Sequence, residues 1–93
     1  MTVVPACVQE ETRCWSWRTE LLTQRIRELN DAKFAAFSVG TMYFGAPQSV
    51  REAIGEAIAW LERGEHDLAE RFIERAETEI IAQRRDFRAR HDT

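Results

Sequence analysis

The side chains that could bind a metal ion or act as nucleophiles are few and widely spaced. They are Cys7, Cys14, His66 and His91. Their spacings match neither zinc-finger nor metallohydrolase patterns. No pair of Glu-x-x-His motifs suggests a di-iron bundle, and no glycine-rich phosphate loop follows a predicted strand. We therefore predict no metal site, no cofactor and no enzymatic activity.

The two cysteines are predicted to be free thiols. If Cys7 and Cys14 lie on one helix, roughly 10 Å of helical rise separates them, which is too far for a disulfide. An intermolecular bridge through Cys7 is the alternative.

No run of ~18 apolar residues could span a bilayer, and the first eight residues lack the basic flank of a secretory signal. We expect a cytoplasmic protein that does not bind membranes.

The acidic side chains concentrate in one part of the sequence. Residues 49 to 79 carry nine acids and four arginines, whereas the chain as a whole has a formal net charge of −3. Solvated carboxylates near helix starts would explain this distribution. The alternative is an acidic face for a basic partner surface, and its residues would be Glu62, Glu65, Glu70, Glu74 and Glu77.

The end of the chain is basic, with Arg84, Arg85, Arg88 and Arg90 around Phe87. These arginines could contact phosphates, so a nucleic-acid-binding regulator is an alternative function. The chain is acidic overall and contains no recognisable recognition helix. A solvated helix end is therefore the preferred interpretation of this cluster.

Hydrophobic periodicity predicts one helical domain, and 93 residues suffice for one core. We predict an N-terminal arm over residues 1–9 and a domain over residues 10–93. Its helices span about 10–39, 50–63 and 68–90, and glycines and Pro47 mark an apolar connector over 40–48. Asn30 and Asp31 are poor helix-interior residues, so the first helix either runs unbroken or restarts after Asp31.

Apolar residues at helical spacing are predicted to form the core. On the first helix they are Trp15, Leu22, Ile26, Leu29, Ala36 and Phe37. On the second they are Val50, Ile54, Ala57, Ile58 and Leu61. On the third they are Ala69, Phe72, Ile73, Ala76, Ile80, Gln83 and Phe87.

Capping signals favour an antiparallel helical hairpin in the second half of the chain. Ser49 stands three residues before Glu52, and Asp67 stands three residues before Glu70, as in capping boxes. Gly64 is suited to close the second helix. The predicted fold class is all-α, a small three-helix bundle built on this hairpin, with four helices as the alternative.

Part of this hairpin resembles the middle of one tetratricopeptide repeat. The matching positions are Trp60, Gly64, Ala69 and Ala76. The match covers under a third of the chain, and the positions 34 residues earlier do not repeat the motif. The resemblance implies two antiparallel helices with small residues at their crossing, and it lends slight support to peptide binding.

The third helix is predicted to outrun the second by two turns or more. Its overhang carries Ile80, Ile81 and Phe87, which need a cover. The first helix or a second copy of the chain could provide it. Because symmetric dimers are the commonest oligomers, we predict a homodimer.

Several large apolar residues lie off the predicted core stripes or in the connector. They are Trp17, Phe34, Tyr43, Phe44, Trp60 and Ile81. Met42, Tyr43 and Phe44 either plug one end of the core or meet a partner or a small ligand, so a small enzyme or ligand-binding protein is a further alternative function. Exposed apolar patches and aromatic anchors are typical of contact sites. We predict a non-enzymatic adaptor or inhibitor that occludes a partner protein, with a nucleic-acid-binding protein as one candidate partner.

Overall fold

The computed structural model describes residues 7 to 91 and is mostly helical, as the predicted all-α class requires. It contains α1 (Cys7–Ala36), β1 (Ser38–Val39), β2 (Met42–Tyr43), α2 (Gln48–Glu62) and α3 (His66–His91). The three helices pack on one another around one core. Residues 7 to 91 include no fourth helix. Within the same residues, no helix is both long enough and apolar enough to cross a membrane.

The first helix is a single unbroken element. α1 passes through Asn30 and Asp31 without interruption, and it ends at Ala36 rather than at residue 39. Its first residue is Cys7, so residues 7 to 9 of the predicted arm belong to the helix. Residues 1 to 6 of that arm, and the side chain of the predicted core residue Trp15, lie outside the described part of the chain.

The turn between α2 and α3 forms as predicted around Gly64. This glycine has a φ of 80°, which is a conformation that glycine adopts without strain. Its N–H donates to the Leu61 carbonyl at 3.0 Å, and the Glu65 N–H donates to the Trp60 carbonyl at 2.9 Å. This is the Schellman arrangement, which satisfies carbonyls at the end of a helix.

The predicted side-chain caps are wrong. Pro47 is the N-cap of α2 and no side chain caps that helix. Ser49 lies within the first turn, and its hydroxyl donates instead to Glu79 Oε1 of α3 at 3.0 Å. Asp67 lies within the first turn of α3, where its carboxylate accepts a hydrogen bond from Arg18 of α1. Partners on neighbouring helices therefore replace the local capping bonds.

The core contains most of the predicted residues from all three helices. Its buried members on the helices are Leu22, Ile26, Leu29, Ala36, Val50, Ala53, Ile54, Ala57, Leu61, Ala69, Ile73, Ala76, Ile80 and Phe87. Ala53 is also buried, although it was not among the predicted core residues, whereas the predicted Ile58 is 39 % exposed. Phe72 is only partly buried and packs against this core. Ala57, Ala69 and Ala76 are fully buried, and small side chains there let α2 and α3 pack closely.

α1 runs parallel to α3, with an offset of roughly 50 residues. Thr19 Oγ1 lies 3.0 Å from His66 Nε2 near the start of α3. Near the other end, the rings of Phe37 and Phe87 pack edge to face at 5.6 Å. Because α3 begins level with Thr19, the α1 backbone from Cys7 to residue 16 extends past the helical hairpin by roughly 15 Å.

The connector is a short β-hairpin that covers the end of α3. Ser38 pairs with Tyr43, and Val39 pairs with Met42 across a two-residue turn. Gly40 opens this turn with a φ of 62°, and such turns favour glycine because they need a positive φ. The Phe44 N–H donates to the Phe37 carbonyl at 2.9 Å, which ties the hairpin to the end of α1.

The overhang of α3 is covered within the same chain. Phe87 contacts Phe37 and also Phe44, whose ring centroid lies 5.7 Å away. Phe87 and Ile80 are both buried, whereas Ile81 is 64 % exposed. The first helix and the connector therefore provide the cover that Ile80 and Phe87 need.

Candidate functional site

Exposed apolar side chains cluster around the β-hairpin. They come from the last turns of α1, from both strands and from the residue that follows β2. These residues, the hairpin patch, are Phe34, Val39, Met42, Tyr43 and Phe44. Each is exposed, and Met42 is the most exposed at 63 %. The structure thus brings together three of the predicted partner-binding residues, Phe34, Tyr43 and Phe44.

The hairpin patch is held in place by contacts on its inner side. The rings of Phe34 and Tyr43 pack at 4.5 Å between centroids. The Tyr43 hydroxyl accepts a hydrogen bond from the Ala46 N–H at 3.0 Å. Phe44 packs edge to face on both Phe87 and His91. These contacts fix the rings before any partner binds, which lowers the ordering cost of binding.

An arginine and a lysine lie close to this patch. Arg88 lines a small cavity together with Ser38, Val39, Phe87 and His91. The predicted basic residues Arg84, Arg85, Arg88 and Arg90 are all exposed on the last turns of α3. The Lys33 ammonium lies 5.1 Å from the Phe34 ring centroid. The end of the molecule that carries the connector is therefore both apolar and basic.

At the other end, ion pairs join α1 and α3. Arg18 Nη2 donates to Asp67 Oδ1 at 2.7 Å and to Glu70 Oε1 at 3.3 Å. Arg25 donates to Glu70 Oε2 and to Glu77 Oε2, each at 3.3 Å. Two residues of the predicted acidic face, Glu70 and Glu77, are thus neutralised within the chain. Its other members, Glu62, Glu65 and Glu74, are exposed.

The shortest of these ion pairs shifts the pKa of both partners. The hydrogen bond from Arg18, together with its positive charge, lowers the pKa of the Asp67 carboxyl. The same hydrogen bond raises the pKa of the Arg18 guanidinium. Both side chains are open to solvent, so these shifts describe local geometry rather than a buried charge.

A second, smaller apolar area lies on α1 close to the ion pairs. Trp17 is 66 % exposed, and Leu21 one turn later is also exposed. Trp17 is one of the predicted partner-binding residues. Trp17 and the hairpin patch stand at opposite ends of the described part of α1, roughly 30 Å apart along the helix.

The structure places Trp60 against the core rather than on an open surface. It is partly buried and packs against the buried cluster. The Arg63 guanidinium lies 5.0 Å from its ring centroid, within cation–π distance. Its indole Nε1 is buried without a hydrogen-bond partner among the described residues. Trp60 therefore contributes to packing at the boundary between α2 and solvent.

Sequence reasoning did not find the α1 arginines or the exposure of Val39 and Met42. A signal for the arginines was present: Arg18 and Arg25 are seven residues apart, as are Glu70 and Glu77. Using that signal requires knowledge that α1 and α3 are parallel. Val39 and Met42 could have been assigned to an exposed hairpin only if the glycine turn at Gly40 had been recognised.

Among the described residues, no group of three or more histidine, cysteine or acidic side chains could hold a metal ion.

Compared with protein-family models, curated proteins and solved structures, the chain matches none of them. The likeness to one tetratricopeptide repeat is therefore limited to local packing, where Gly64 forms the turn and Ala69 and Ala76 are buried.

Proposed function

We propose that this protein is a non-enzymatic protein-interaction module, an adaptor or inhibitor that binds a partner protein through the hairpin patch. The observation that carries this proposal is the grouping of five exposed, large apolar side chains on one short hairpin. Soluble monomers rarely expose contiguous apolar patches, and those that do generally use them as contact sites.

The composition and rigidity of the patch support this role. Three of its five residues are aromatic, and aromatic residues are enriched in the contacts that dominate binding energy. The rings of Phe34, Tyr43 and Phe44 are each packed on one side and open on the other. A partner could bury the open sides without reordering the hairpin.

The adaptor form of the proposal draws support from the two separate apolar areas. Trp17 with Leu21 and the hairpin patch face solvent far apart on the same molecule, so one chain can contact two surfaces. The basic side chains near the hairpin patch favour an acidic partner there. This revises the sequence-based expectation, in which an acidic face would meet a basic partner, because Glu70 and Glu77 are already paired.

The proposal includes a homodimer in the cytoplasm. The overhang of α3 no longer supports the dimer, since the connector covers it. The extension of α1 supports the dimer instead. Its backbone runs past the start of α3, and the exposed Trp17 and Leu21 lie at its base. Two such extensions can pack against each other around a two-fold axis, which is the commonest symmetry of dimers.

The partner proposal is tested by affinity capture from the native host, using the wild-type chain and the variant Val39→Asn/Met42→Asn. We expect one discrete partner with the wild type and its loss with the variant. Ile58→Asn, which removes an exposed apolar residue of α2, is the matched control and should retain the partner. Equal capture by all three proteins would contradict the proposal.

The dimer is tested by light scattering over a concentration series. The wild type should reach the dimer mass at high micromolar concentration. Trp17→Lys/Leu21→Lys should remain monomeric, because two buried charges at an isologous interface are strongly unfavourable. A strictly monomeric wild type at the highest concentration would contradict the dimer while leaving the hairpin-patch proposal in place.

A further inference from the structure

The seam between α1 and α3 follows a seven-residue spacing on both helices. On α1 the seam positions are Arg18, Arg25 and Ala32, and on α3 they are Glu70, Glu77 and Arg84. Residues seven apart lie on nearly the same side of a helix. Arg18 bonds to Glu70 and Arg25 bonds to Glu77, and because the two helices are parallel, continuing this register by seven residues sets Ala32 level with Arg84.

The first two positions of this seam are paired and the third is not. Arg18 and Arg25 both bond to carboxylates of α3. At the third position, the register set by the first two pairs Arg84 with Ala32, which carries no charge. Within residues 17 to 91, no ion pair joins Arg84 or Arg88 to a carboxylate. We call this part of the seam, from Ala32 and Ile81 to Val39 and Arg88, the open seam.

The open seam combines small, apolar and basic side chains. Ala32 is exposed on α1, and its short side chain carries no charge or hydrogen-bonding group. Ile81 is 64 % exposed on the seam side of α3. Beyond it Arg88 lines a cavity with Val39 of the hairpin patch. The strip therefore offers apolar contacts at both ends and two guanidinium groups between them.

We propose that the open seam binds an acidic, amphipathic segment of a partner protein, whose carboxylates pair with Arg84 and Arg88 while its apolar side chains cover Ile81 and Val39. The inference rests on the proposed function and names the chemistry of the partner. Charge complementarity supports it, since neither Arg84 nor Arg88 has a carboxylate partner among residues 17 to 91. Arginine is well suited to such pairing because its planar donors match a carboxylate.

The location of the arginines gives the inference a specific test. Arg84 and Arg88 belong to the open seam, whereas Arg75 and Arg90 are also exposed but lie more than a third of a turn around α3 from Arg88. A diffuse attraction to any polyanion would depend on all four arginines. Binding of a segment in the seam would depend on Arg84 and Arg88 only.

The experiment uses the full chain and a fluorescein-labelled helical peptide of roughly five turns, with leucines on one face and glutamates beside them. Its affinity is measured by anisotropy for the wild type, for Arg84→Glu/Arg88→Glu and for the control Arg75→Glu/Arg90→Glu. We expect the seam variant to weaken binding about tenfold or more, as the loss of two charge-assisted pairs implies. The control should change affinity less than about twofold, since rim charges away from the contact affect affinity weakly.

Three further arms decide the outcome. A peptide with lysine in place of glutamate should not bind. An oligothymidylate and vesicles containing phosphatidylserine should bind weakly, and equally to both double variants. Absence of peptide binding, equal losses in both variants, or seam-dependent binding of the oligonucleotide or vesicles instead of the peptide would each overturn the inference.

The same variants separate this inference from the proposed function. If the captured native partner requires Val39 and Met42 but tolerates Arg84→Glu/Arg88→Glu, the open seam is not its site and the hairpin patch still is. If capture is insensitive to both sets of substitutions, both proposals fail. Circular dichroism melts of each variant confirm that loss of binding is not loss of folding.

Discussion

The two halves of the α1–α3 seam share a seven-residue spacing but differ in whether their charged side chains are paired. In the half near the α2–α3 turn, Arg18 and Arg25 are bonded to carboxylates of α3. In the half near the connector, Arg84 has an alanine beside it, and aromatic packing around Phe87 holds the helices together. Apolar core residues pack both halves, but only the first half adds ion pairs across the seam, and the second leaves its arginines available.

This difference separates stability from recognition along one interface. Exposed ion pairs contribute little to folding because solvent screens them, whereas burial of a phenylalanine contributes several kcal/mol. The connector half can therefore keep unpaired arginines without a large loss of stability. In the connector half, carboxylates of a partner would pair with arginines of α3. In the other half, carboxylates of α3 already pair with arginines of α1.

The strongest way to break the connector half is to remove its aromatic anchor. Phe87→Ala should lower the free energy of unfolding by about 3–5 kcal/mol, because Phe87 is buried against Phe37 and Phe44. Urea titration followed by circular dichroism measures this loss. The control Ile81→Ala, on the exposed side of α3, should change it by less than about 0.5 kcal/mol.

The paired half is tested by removing the arginine that bridges two glutamates. Arg25→Met keeps most of the apolar stem and should destabilise the protein by roughly 0.5–1 kcal/mol, as expected for a partly exposed ion-pair network. The loss should shrink in 1 M salt, where charges are screened. Arg27→Met, at an exposed position of the same helix, should have almost no effect. A loss that is independent of salt would show that Arg25 acts by packing alone.

One substitution should make the connector half of the seam resemble the paired half. Ala32→Glu places a carboxylate beside Arg84 and should raise the free energy of unfolding by about 0.3–0.5 kcal/mol. It should also compete with an acidic peptide and weaken its binding. Ala32→Gln has a similar shape without the charge and should do neither. Equal peptide affinity for both variants would contradict the location of the site.

The smallest effect concerns the pH dependence of the paired half. Because the pKa of Asp67 is lowered in the folded protein, the folded state binds fewer protons than the unfolded state near that pKa. This contribution to stability is present above the ordinary aspartate pKa of about 4 and is lost as the pH falls through the lowered value.

Asp67→Asn should remove that contribution. The variant should be slightly less stable than the wild type at pH 7, and the difference should vanish once the pH is below the lowered pKa of Asp67. Urea titrations over a pH series measure it. Asp31→Asn reports the effect of losing an exposed aspartate elsewhere on the surface. A difference that grows on acidification would contradict the assigned hydrogen bond.

The helices and the core could be predicted from the sequence because both depend on local periodicity. Leu22, Ile26 and Leu29 are buried as their spacing indicates, and Gly64 turns the chain as its type indicates. The caps could not be predicted, since Ser49 and Asp67 bond to side chains on other helices. Local capping signals do not specify which tertiary partner will compete for the same oxygen.

The candidate surfaces depended even more on tertiary structure. Phe34, Tyr43 and Phe44 were predicted individually as contact residues, but their assembly into one patch follows from the hairpin at Gly40. The open seam required both the direction and the offset of α1 relative to α3. Neither can be read from amphipathic patterns, which indicate a buried face without naming the helix that covers it.

The parallel arrangement of α1 and α3 also has a consequence for the order of folding. The α2–α3 pair joins neighbouring segments of the chain, whereas the α1–α3 pairs join residues roughly 50 positions apart. Local contacts form faster than distant ones because they close shorter loops. We expect the helical hairpin to form first and α1 to dock onto it later, guided at one end by charge and fixed at the other by Phe37.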